Sequence, residues 1–278
     1  MRSDLAALGA VVLWASLATL GLFLDHLPPL LLTGLGLLIG SLIALPLTRF
    51  RLNRMLVPGK VLLLGVYGLF GYHVALFSAI QNAPAVQANL VNYLWPLLIV
   101  VLAPLIVPGS KLTWKLILAA IAGFIGAALA ILSGAQLTGG LEIGYLYGLI
   151  AAVIWSTYSL GTKRIGAFPT AAVGLFGLVA GSLSLIAHLI LEPAAAISGA
   201  DWVWLILLGL GPLGASFFLW DYALKNGNAQ RVGLIAFLTP LLSTAMLILA
   251  SGSQLTPLLM ISAVLIIGAA TIGGRVNN

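Results

Sequence analysis

The chain has 278 residues, of which 62% are hydrophobic and only 6% are charged, with a formal net charge of +6. Soluble domains carry about 25% charged residues and could not bury this much apolar surface, so the composition excludes a water-soluble fold. Cysteine is absent, which excludes disulfides and thiolate metal sites. The positive charges lie in short gaps between apolar segments, where membrane topology explains them, and they do not indicate a nucleic-acid partner.

Ten apolar segments follow one another along the chain, each roughly 18–23 residues long and able to cross a hydrocarbon core of about 30 Å. They predict an all-α membrane protein with ten transmembrane helices. The first segment is interpreted as a retained helix, because no small-residue cleavage site followed by a soluble domain comes after it. Because the gaps are short, we expect consecutive helices to be antiparallel neighbours. The predicted helices span residues 4–24, 30–48, 60–80, 85–107, 112–132, 142–161, 170–191, 202–224, 229–250 and 257–274.

Gaps that carry Lys and Arg alternate along the chain with gaps that carry neither. Cytoplasmic loops of membrane proteins retain Lys and Arg, so this alternation predicts a membrane crossing at every gap and both termini in the cytoplasm. The basic residues are Arg49, Arg51, Arg54 and Lys60, then Lys111 and Lys115, Lys163 and Arg164, and Lys225 and Arg231, with Arg2 and Arg275 near the ends. The gaps without Lys or Arg are 25–26, 81–84, 132–142, 192–201 and 251–256.

The chain also repeats itself. Ala79–Leu98 and Ala223–Leu242 overlay without a gap at an offset of 144, which pairs Asn82 with its equivalent asparagine and Pro96 with Pro240. Such pairing of uncommon residues indicates an internal repeat rather than a coincidence of leucines.

Each half of the chain would hold five helices, with 1–135 as the first repeat and 136–278 as the second. Near an offset of 141, Trp14 in the first predicted helix matches Trp155 in the sixth. Because five is an odd number, the second repeat enters the membrane from the opposite side. This predicts an inverted-topology repeat, the arrangement that many secondary transporters use for alternating access.

In each half an alanine stands seventeen residues before a Pro-Leu pair, as Ala79 before Pro96 and Ala223 before Pro240. This five-plus-five pattern resembles the EamA repeat of the drug/metabolite transporter superfamily, and the resemblance covers essentially the whole chain. Residues 91–96, which read VNYLWP, resemble the fourth helix of the YddG-type aromatic amino-acid exporters within that superfamily. Further residues that fit this subgroup are Ile154, Trp155, Tyr158, Gly227 and Asn228.

The charged residues lie at predicted helix ends, and none is predicted near the bilayer midplane. Ion-coupled pumps generally need a charged or titratable group there, so the sequence predicts uniport. It also offers no paired groups for an enzyme and no ligand set for a metal, and we expect no cofactor. His73 is the exception, because its unperturbed pKa of about 6.5 would allow proton coupling. The alternative for His73 is an imidazole bonded to a neighbouring helix.

Aromatic and amide side chains at membrane depth are the candidate substrate contacts. Asn89, Asn92, Tyr93 and Pro96 share one face of the fourth predicted helix by i, i+3, i+4 spacing. A neutral amide is costly in hydrocarbon, so this face should point into protein or a water-filled cavity. Pro96 and Pro240 lack a backbone N–H and should break their helices. The candidate substrate-binding residues are Trp14, Tyr72, His73, Asn89, Asn92, Tyr93, Trp95, Trp155, Tyr158 and Trp220.

Packing against lipid or the protein core is the alternative for the deep tryptophans. The resemblance implies a multi-pass inner-membrane exporter of aromatic and other neutral amino acids. We expect uniport through a central cavity, by rocking of two inverted halves, with a small-molecule substrate and the lipid bilayer as partners and a monomer compatible with the sequence. The alternatives are an exporter of drugs or other metabolites such as nucleosides or sugar derivatives, proton-coupled through His73, or a lipid flippase. A non-transporting assembly partner would leave the repeat prolines and buried asparagines without a role.

Overall fold

A computed structural model describes residues 2–132, 140–251 and 256–276, and every regular element in these ranges is helical. Nine of the described helices are long and apolar enough to cross a membrane, and a tenth helix has a shorter apolar part, Pro257–Gly273. The predicted all-α membrane protein is confirmed. The helices are α1 (Arg2–Gly21), α2 (Pro29–Leu47), α3 (Gly59–Gln81), α4 (Ala85–Ile106), α5 (Trp114–Leu132), α6 (Ile143–Arg164), α7 (Ala172–Leu191), α8 (Asp201–Asn226), α9 (Ala229–Leu249) and α10 (Pro257–Val276).

Three sequence expectations fall partly outside the described residues. They are the gap at 132–142, the gap at 251–256, and the boundary between residues 135 and 136 that separates the two predicted repeats.

The helices pack mainly across the two halves of the sequence. The helix α2 lies along α7, α5 lies along α10, α3 lies along α6, and α1 lies along α8. Small residues permit these close approaches, since a Cβ atom added to Gly181 in α7 would lie 2.9 Å from the carbonyl oxygen of Gly34 in α2. The expectation that consecutive helices are neighbours is wrong for α1 with α2, for α5 with α6 and for α6 with α7, whose described residues make few contacts. A connection of several residues can span more than the diameter of one helix, about 10 Å. It therefore makes the next helix run in the opposite direction but does not determine which helix packs beside it.

Irregular turns recur in the backbone at the sequence offset of 144. A wide π-helical turn interrupts α3 at Tyr67–Gly71, and another interrupts α8 at Gly211–Ala215, 144 residues later. The helix α4 is broken at Tyr93 and Leu94, just before Pro96, and α9 is broken at Phe237, which also follows Tyr93 by 144 residues. Breaks of this kind are found where a helix lines a functional site or bends.

The helices alternate in direction, so the bundle has two ends. We call the end that carries residue 2 and the connections 48–58, 107–113, 165–171 and 227–228 the terminal end. The opposite end, where α1 finishes and α2 begins, is the distal end. All of the Lys and Arg residues lie toward the terminal end in sequence position.

Candidate functional site

A cavity of about 330 Å³ lies at the centre of the bundle, between α1, α2, α3, α4, α6, α8 and α9. Its volume falls within the range of small-molecule sites. Among the described lining residues there is no Asp, Glu, Lys or Arg. Eight of the predicted contact residues line it, namely Trp14, Tyr72, His73, Asn89, Asn92, Tyr93, Trp95 and Trp155.

The other two predicted contacts, Tyr158 and Trp220, do not line the cavity but stand behind its wall. The ring of Tyr158 lies 5.2 Å from that of Trp155, and both are almost fully buried. The indole N–H of Trp220 donates a hydrogen bond to the hydroxyl of Ser159, 3.1 Å away. These two residues therefore support the cavity residues from outside.

Four tryptophans from four helices form a cluster between the cavity and the terminal end. Trp14 on α1 lies 5.7 Å from Trp155 on α6, 6.2 Å from Trp95 on α4 and 5.0 Å from Trp220 on α8, measured between ring centroids. The first two contacts are edge-to-face, a favoured arrangement of aromatic rings. We call these four residues the tryptophan cluster.

The cavity lies on the distal side of the tryptophan cluster. Along α1 and the residues after it, the lining runs from Trp14 to Leu24, toward the distal end. Along α8 the lining stops at Phe217, and Trp220 lies one turn closer to the terminal end. The lining therefore extends from the middle of the bundle toward the distal end only.

Neutral polar groups on α3 and α4 form one wall of the cavity. The side-chain amide of Asn92 donates to the hydroxyl of Tyr72 at 3.2 Å, and its amide oxygen has no hydrogen-bond partner among the described residues. Buried polar atoms are nearly always hydrogen-bonded, so this amide oxygen, which is buried beside the cavity, is an unused acceptor. Asn89 and Tyr93 extend this wall along the same face of α4.

His73 borders this wall. Its Nδ1 is bonded to the backbone carbonyl of Leu69, one turn earlier on α3. A carbonyl only accepts hydrogen bonds, so Nδ1 carries the hydrogen, and Nε2 of the neutral ring is an acceptor. The bond is within α3, so the imidazole is not held by the neighbouring helix that the sequence left as an alternative.

Sequence reasoning missed the wall that α8 contributes. Leu208, Pro212, Leu213 and Phe217 line the cavity there, and Thr239 and Ser243 line it from α9. Apolar residues carry no signal of their own in a chain this hydrophobic. The repeat offset of 144 would have identified Phe217, because it is the equivalent of His73.

The predicted helix-breaking prolines, Pro96 and Pro240, are both buried and lie at the breaks of α4 and α9. Neither lines the cavity. They shape the backbone on which Tyr93 and Thr239 are presented.

Polar contacts tie the helices together at the terminal end. The ammonium group of Lys163 on α6 donates to the backbone carbonyls of Leu224, at 3.0 Å, and Gly227 at the end of α8. The side-chain amide of Gln230 on α9 donates to the carbonyls of Val100 and Lys111, each at 3.2 Å. These contacts lie beyond the tryptophan cluster, so they close the bundle on that side.

At the distal end the polar contacts of Glu192 are peripheral. Glu192 at the end of α7 accepts hydrogen bonds from the backbone N–H groups of Leu30, at 2.9 Å, and Leu31 at the start of α2. His188 pairs with the same carboxylate at 2.9 Å. These bonds join α2 to α7, which already pack along each other, and none of these residues lines the cavity.

Comparison with known proteins identifies the family. The model of the EamA-like transporter family matches residues 1–132 and 142–273. The aromatic amino acid exporter YddG of Ancylobacter novellus is 36% identical, over 98% of this chain and 97% of that protein. The YddG exporter of Salmonella typhimurium is 24% identical, over 92% of this chain and 90% of its own.

A solved crystal structure supports the same relationship. It is 34% identical to this chain, covers 99% of it and 98% of its own chain, and superimposes with a TM-score of 0.92. Family match, relatives and fold agree along the whole length. The chain belongs to the EamA-like transporter family and is a multi-pass membrane protein.

Proposed function

We propose that the protein exports aromatic and other neutral amino acids across the inner membrane through the central cavity. The observation that carries this proposal is the lining: aromatic rings beside neutral hydrogen-bonding groups, without Asp, Glu, Lys or Arg among the described lining residues. A zwitterion has no net charge, so hydroxyls, amides and an imidazole can bind both of its head groups. Aromatic side chains gain additional contact with the tryptophans. The names of the relatives support the same class of substrate.

In this proposal the terminal end faces the cytoplasm and the cavity is open to the outside. The bias of Lys and Arg toward one end supports this orientation. Single cysteines at Asn53 and Leu141, which are both exposed and lie at opposite ends, test it in a chain that has no native cysteine. An impermeant reagent on intact cells should label position 141 and spare position 53. Labelling of position 53 alone would reverse the orientation.

The chain would consist of two inverted repeats, 1–135 and 136–278. The two stretches matched by the family model and the equivalent breaks in α3, α4, α8 and α9 support this division.

The moving units of alternating access would be two groups of helices drawn from both repeats. The helices α3 and α4 pack against α6, and α1 packs against α8 and α9. We call these the α3-α4-α6 group and the α1-α8-α9 group. Rocking one repeat against the other would separate α2 from α7 and α5 from α10, which pack tightly, whereas rocking these two groups keeps those pairs together. The cavity and the tryptophan cluster lie between the two groups.

Transport would run down the gradient of the amino acid itself. A site without a fixed charge lacks the usual group for coupling protons or sodium to substrate movement. Net flux of phenylalanine into proteoliposomes, with and without an imposed proton gradient, tests this point. Equal flux is expected, whereas accumulation above the external concentration that is lost in His73→Ala would make the transporter proton-coupled.

The substrate class is tested by counterflow in proteoliposomes that contain only this protein. Phenylalanine, tryptophan, leucine and alanine should exchange, whereas lysine, glutamate and a nucleoside should not. Trp155→Phe should lower exchange of phenylalanine about two- to tenfold, since an aromatic contact is worth about 0.5–1.5 kcal/mol beyond its buried area. Trp114→Phe is the matched control, because Trp114 is 66% exposed on the surface of the bundle. Exchange of the nucleoside in place of the amino acids would favour the metabolite-exporter alternative.

A further inference from the structure

Equivalent positions of the two repeats give the cavity different chemistry. His73 on α3 and Phe217 on α8 are equivalent by the offset of 144, and both line the cavity, with ring centroids 6.4 Å apart. Tyr93 and Asn92 on α4 line the cavity, while their equivalents on α9 are Phe237 and an alanine, both fully buried elsewhere. The two halves therefore share their backbone breaks, whereas at these equivalent positions only α3 and α4 carry hydrogen-bonding side chains in the cavity.

The wall from α3 and α4 has the hydrogen-bonding capacity for an amino-acid head group. The hydroxyl of Tyr72 accepts from Asn92 and keeps its own hydrogen to donate. The amide oxygen of Asn92 and Nε2 of His73 are acceptors. A carboxylate needs donors and an ammonium group needs acceptors, and this wall supplies both kinds without a fixed charge.

The wall from α8 has no such capacity. Leu208, Pro212, Leu213 and Phe217 offer only apolar surface to the cavity. The adjoining α9 adds Thr239, whose hydroxyl hydrogen is donated to the carbonyl of Ala236 at 2.9 Å, and Ser243, one turn farther toward the distal end. Burying an apolar side chain of a ligand against the apolar α8 surface removes it from water, which is favourable. It leaves no polar group of this surface without a hydrogen bond.

We propose, resting on the proposed function, that the amino acid binds in one orientation. Its α-ammonium and α-carboxylate groups bind the α3–α4 wall, and its side chain lies against the α8 wall. Phe217 and Leu213 therefore determine which side chain is carried, whereas Tyr72 and Asn92 bind a part that every amino acid shares.

The test compares the ratio of phenylalanine to alanine exchange in variants of the two walls. Phe217→Leu should lower this ratio about three- to tenfold by removing an aromatic contact. Tyr72→Phe should lower the exchange of both substrates about equally, by about two- to tenfold for one hydrogen bond, and leave the ratio unchanged. Leu213→Val is a second variant of the α8 wall, which keeps the test decisive if Phe217→Leu does not accumulate in the membrane.

Analogues that lack one head group give a second measurement. Phenethylamine lacks the carboxylate and 3-phenylpropionate lacks the amine, whereas leucine keeps both head groups. Each analogue should therefore compete with phenylalanine at least about tenfold more weakly than leucine does. In Tyr72→Phe this difference should shrink, and in Phe217→Leu it should persist.

Two outcomes would overturn the orientation. One is a ratio that moves with Tyr72→Phe and stays fixed in both variants of the α8 wall. The other is competition by phenethylamine and 3-phenylpropionate as strong as that by phenylalanine. If the wild-type protein exchanges no amino acid at all, the proposed function itself is wrong. That result differs from a phenylalanine-to-alanine ratio that changes with Tyr72→Phe, which rejects only the orientation.

Discussion

The terminal end and the distal end of the bundle hold their helices in different ways. At the terminal end, Lys163 and Gln230 connect the α3-α4-α6 group to the α1-α8-α9 group, by bonds from α6 to α8 and from α9 to α4. At the distal end, Glu192 connects α7 to α2, which lie outside both groups. The hydrogen bonds between the groups that the described residues show here therefore lie at the terminal end, and the cavity extends toward the opposite end.

The three bonds or pairs at the terminal end differ in strength. Lys163 places a cation on the carbonyls at the C-terminus of α8, where the helix dipole favours it. The Gln230 bonds are neutral. The pair of Arg231 with Asp4, 3.1 Å apart, is partly exposed and joins α1 to α9 within one group. We therefore expect Lys163 to matter most for closure and the Asp4 pair to matter least.

Lys163→Met should have the largest effect on the difference between the ends. Hydrogen bonds to a charged group are worth about 1.5–3 kcal/mol when buried, and Lys163 is only partly buried, so we expect about a tenfold shift toward a state open at the terminal end. A cysteine at Ala18, which is exposed in the cavity, should then react more slowly with an impermeant maleimide. Lys60→Met removes an exposed lysine at the same end and is the control. Unchanged labelling in Lys163→Met would remove this residue from the closure.

Gln230→Leu should act in the same direction with a smaller effect. Of the two neutral hydrogen bonds it removes, the one to Val100 joins the two groups, and such a bond is worth about 0.5–1.5 kcal/mol, while leucine keeps about the volume of the side chain. Labelling of the cysteine at Ala18 should slow about threefold. Gln81→Leu, at an exposed position of the distal end, should leave the rate unchanged. Faster labelling in Gln230→Leu would contradict the role of this residue in closing the terminal end.

Glu192→Gln should leave access to the cavity unchanged. It weakens the cap on α2 and the pair with His188, so thermal stability should fall by about 1–2 kcal/mol. A lower melting temperature with an unchanged labelling rate at Ala18 is the expected combination. A slower rate would mean that the α2–α7 contact also controls access, and the contrast between the two ends would be lost.

The helices could be predicted from the sequence because their signals are local. Apolar length and the placement of Lys and Arg do not depend on which helices touch. The breaks at Pro96 and Pro240 were predicted for the same reason, since a missing N–H acts within its own helix. The break in α1 at Ser16 has no proline, and there the hydroxyl of Ser16 donates to the carbonyl of Leu13 at 2.7 Å. That bond depends on a rotamer and cannot be read from residue type.

Lateral packing and the α8 wall could not be predicted, because both depend on contacts between distant parts of the chain. Leu208 and Leu213 resemble any other leucine in a hydrophobic helix. The aromatic and amide residues were easier to identify, because such groups stand out in a hydrophobic helix and an amide at membrane depth should face protein or a cavity. Tyr158 and Trp220 show the limit of that reasoning, since a deep aromatic residue can also support its neighbours from behind, as these two do.

Protection of a cysteine at Ala18 by substrate tests most directly whether the central cavity is the binding site. Phenylalanine at a concentration that supports counterflow should slow maleimide labelling of this position in the purified, reconstituted protein. Lysine and glutamate at the same concentration should leave the rate unchanged, because the described lining has no charge to pair with theirs. If phenylalanine is exchanged across the membrane but gives no protection, or if lysine and glutamate protect equally, the cavity is not the site that selects neutral amino acids.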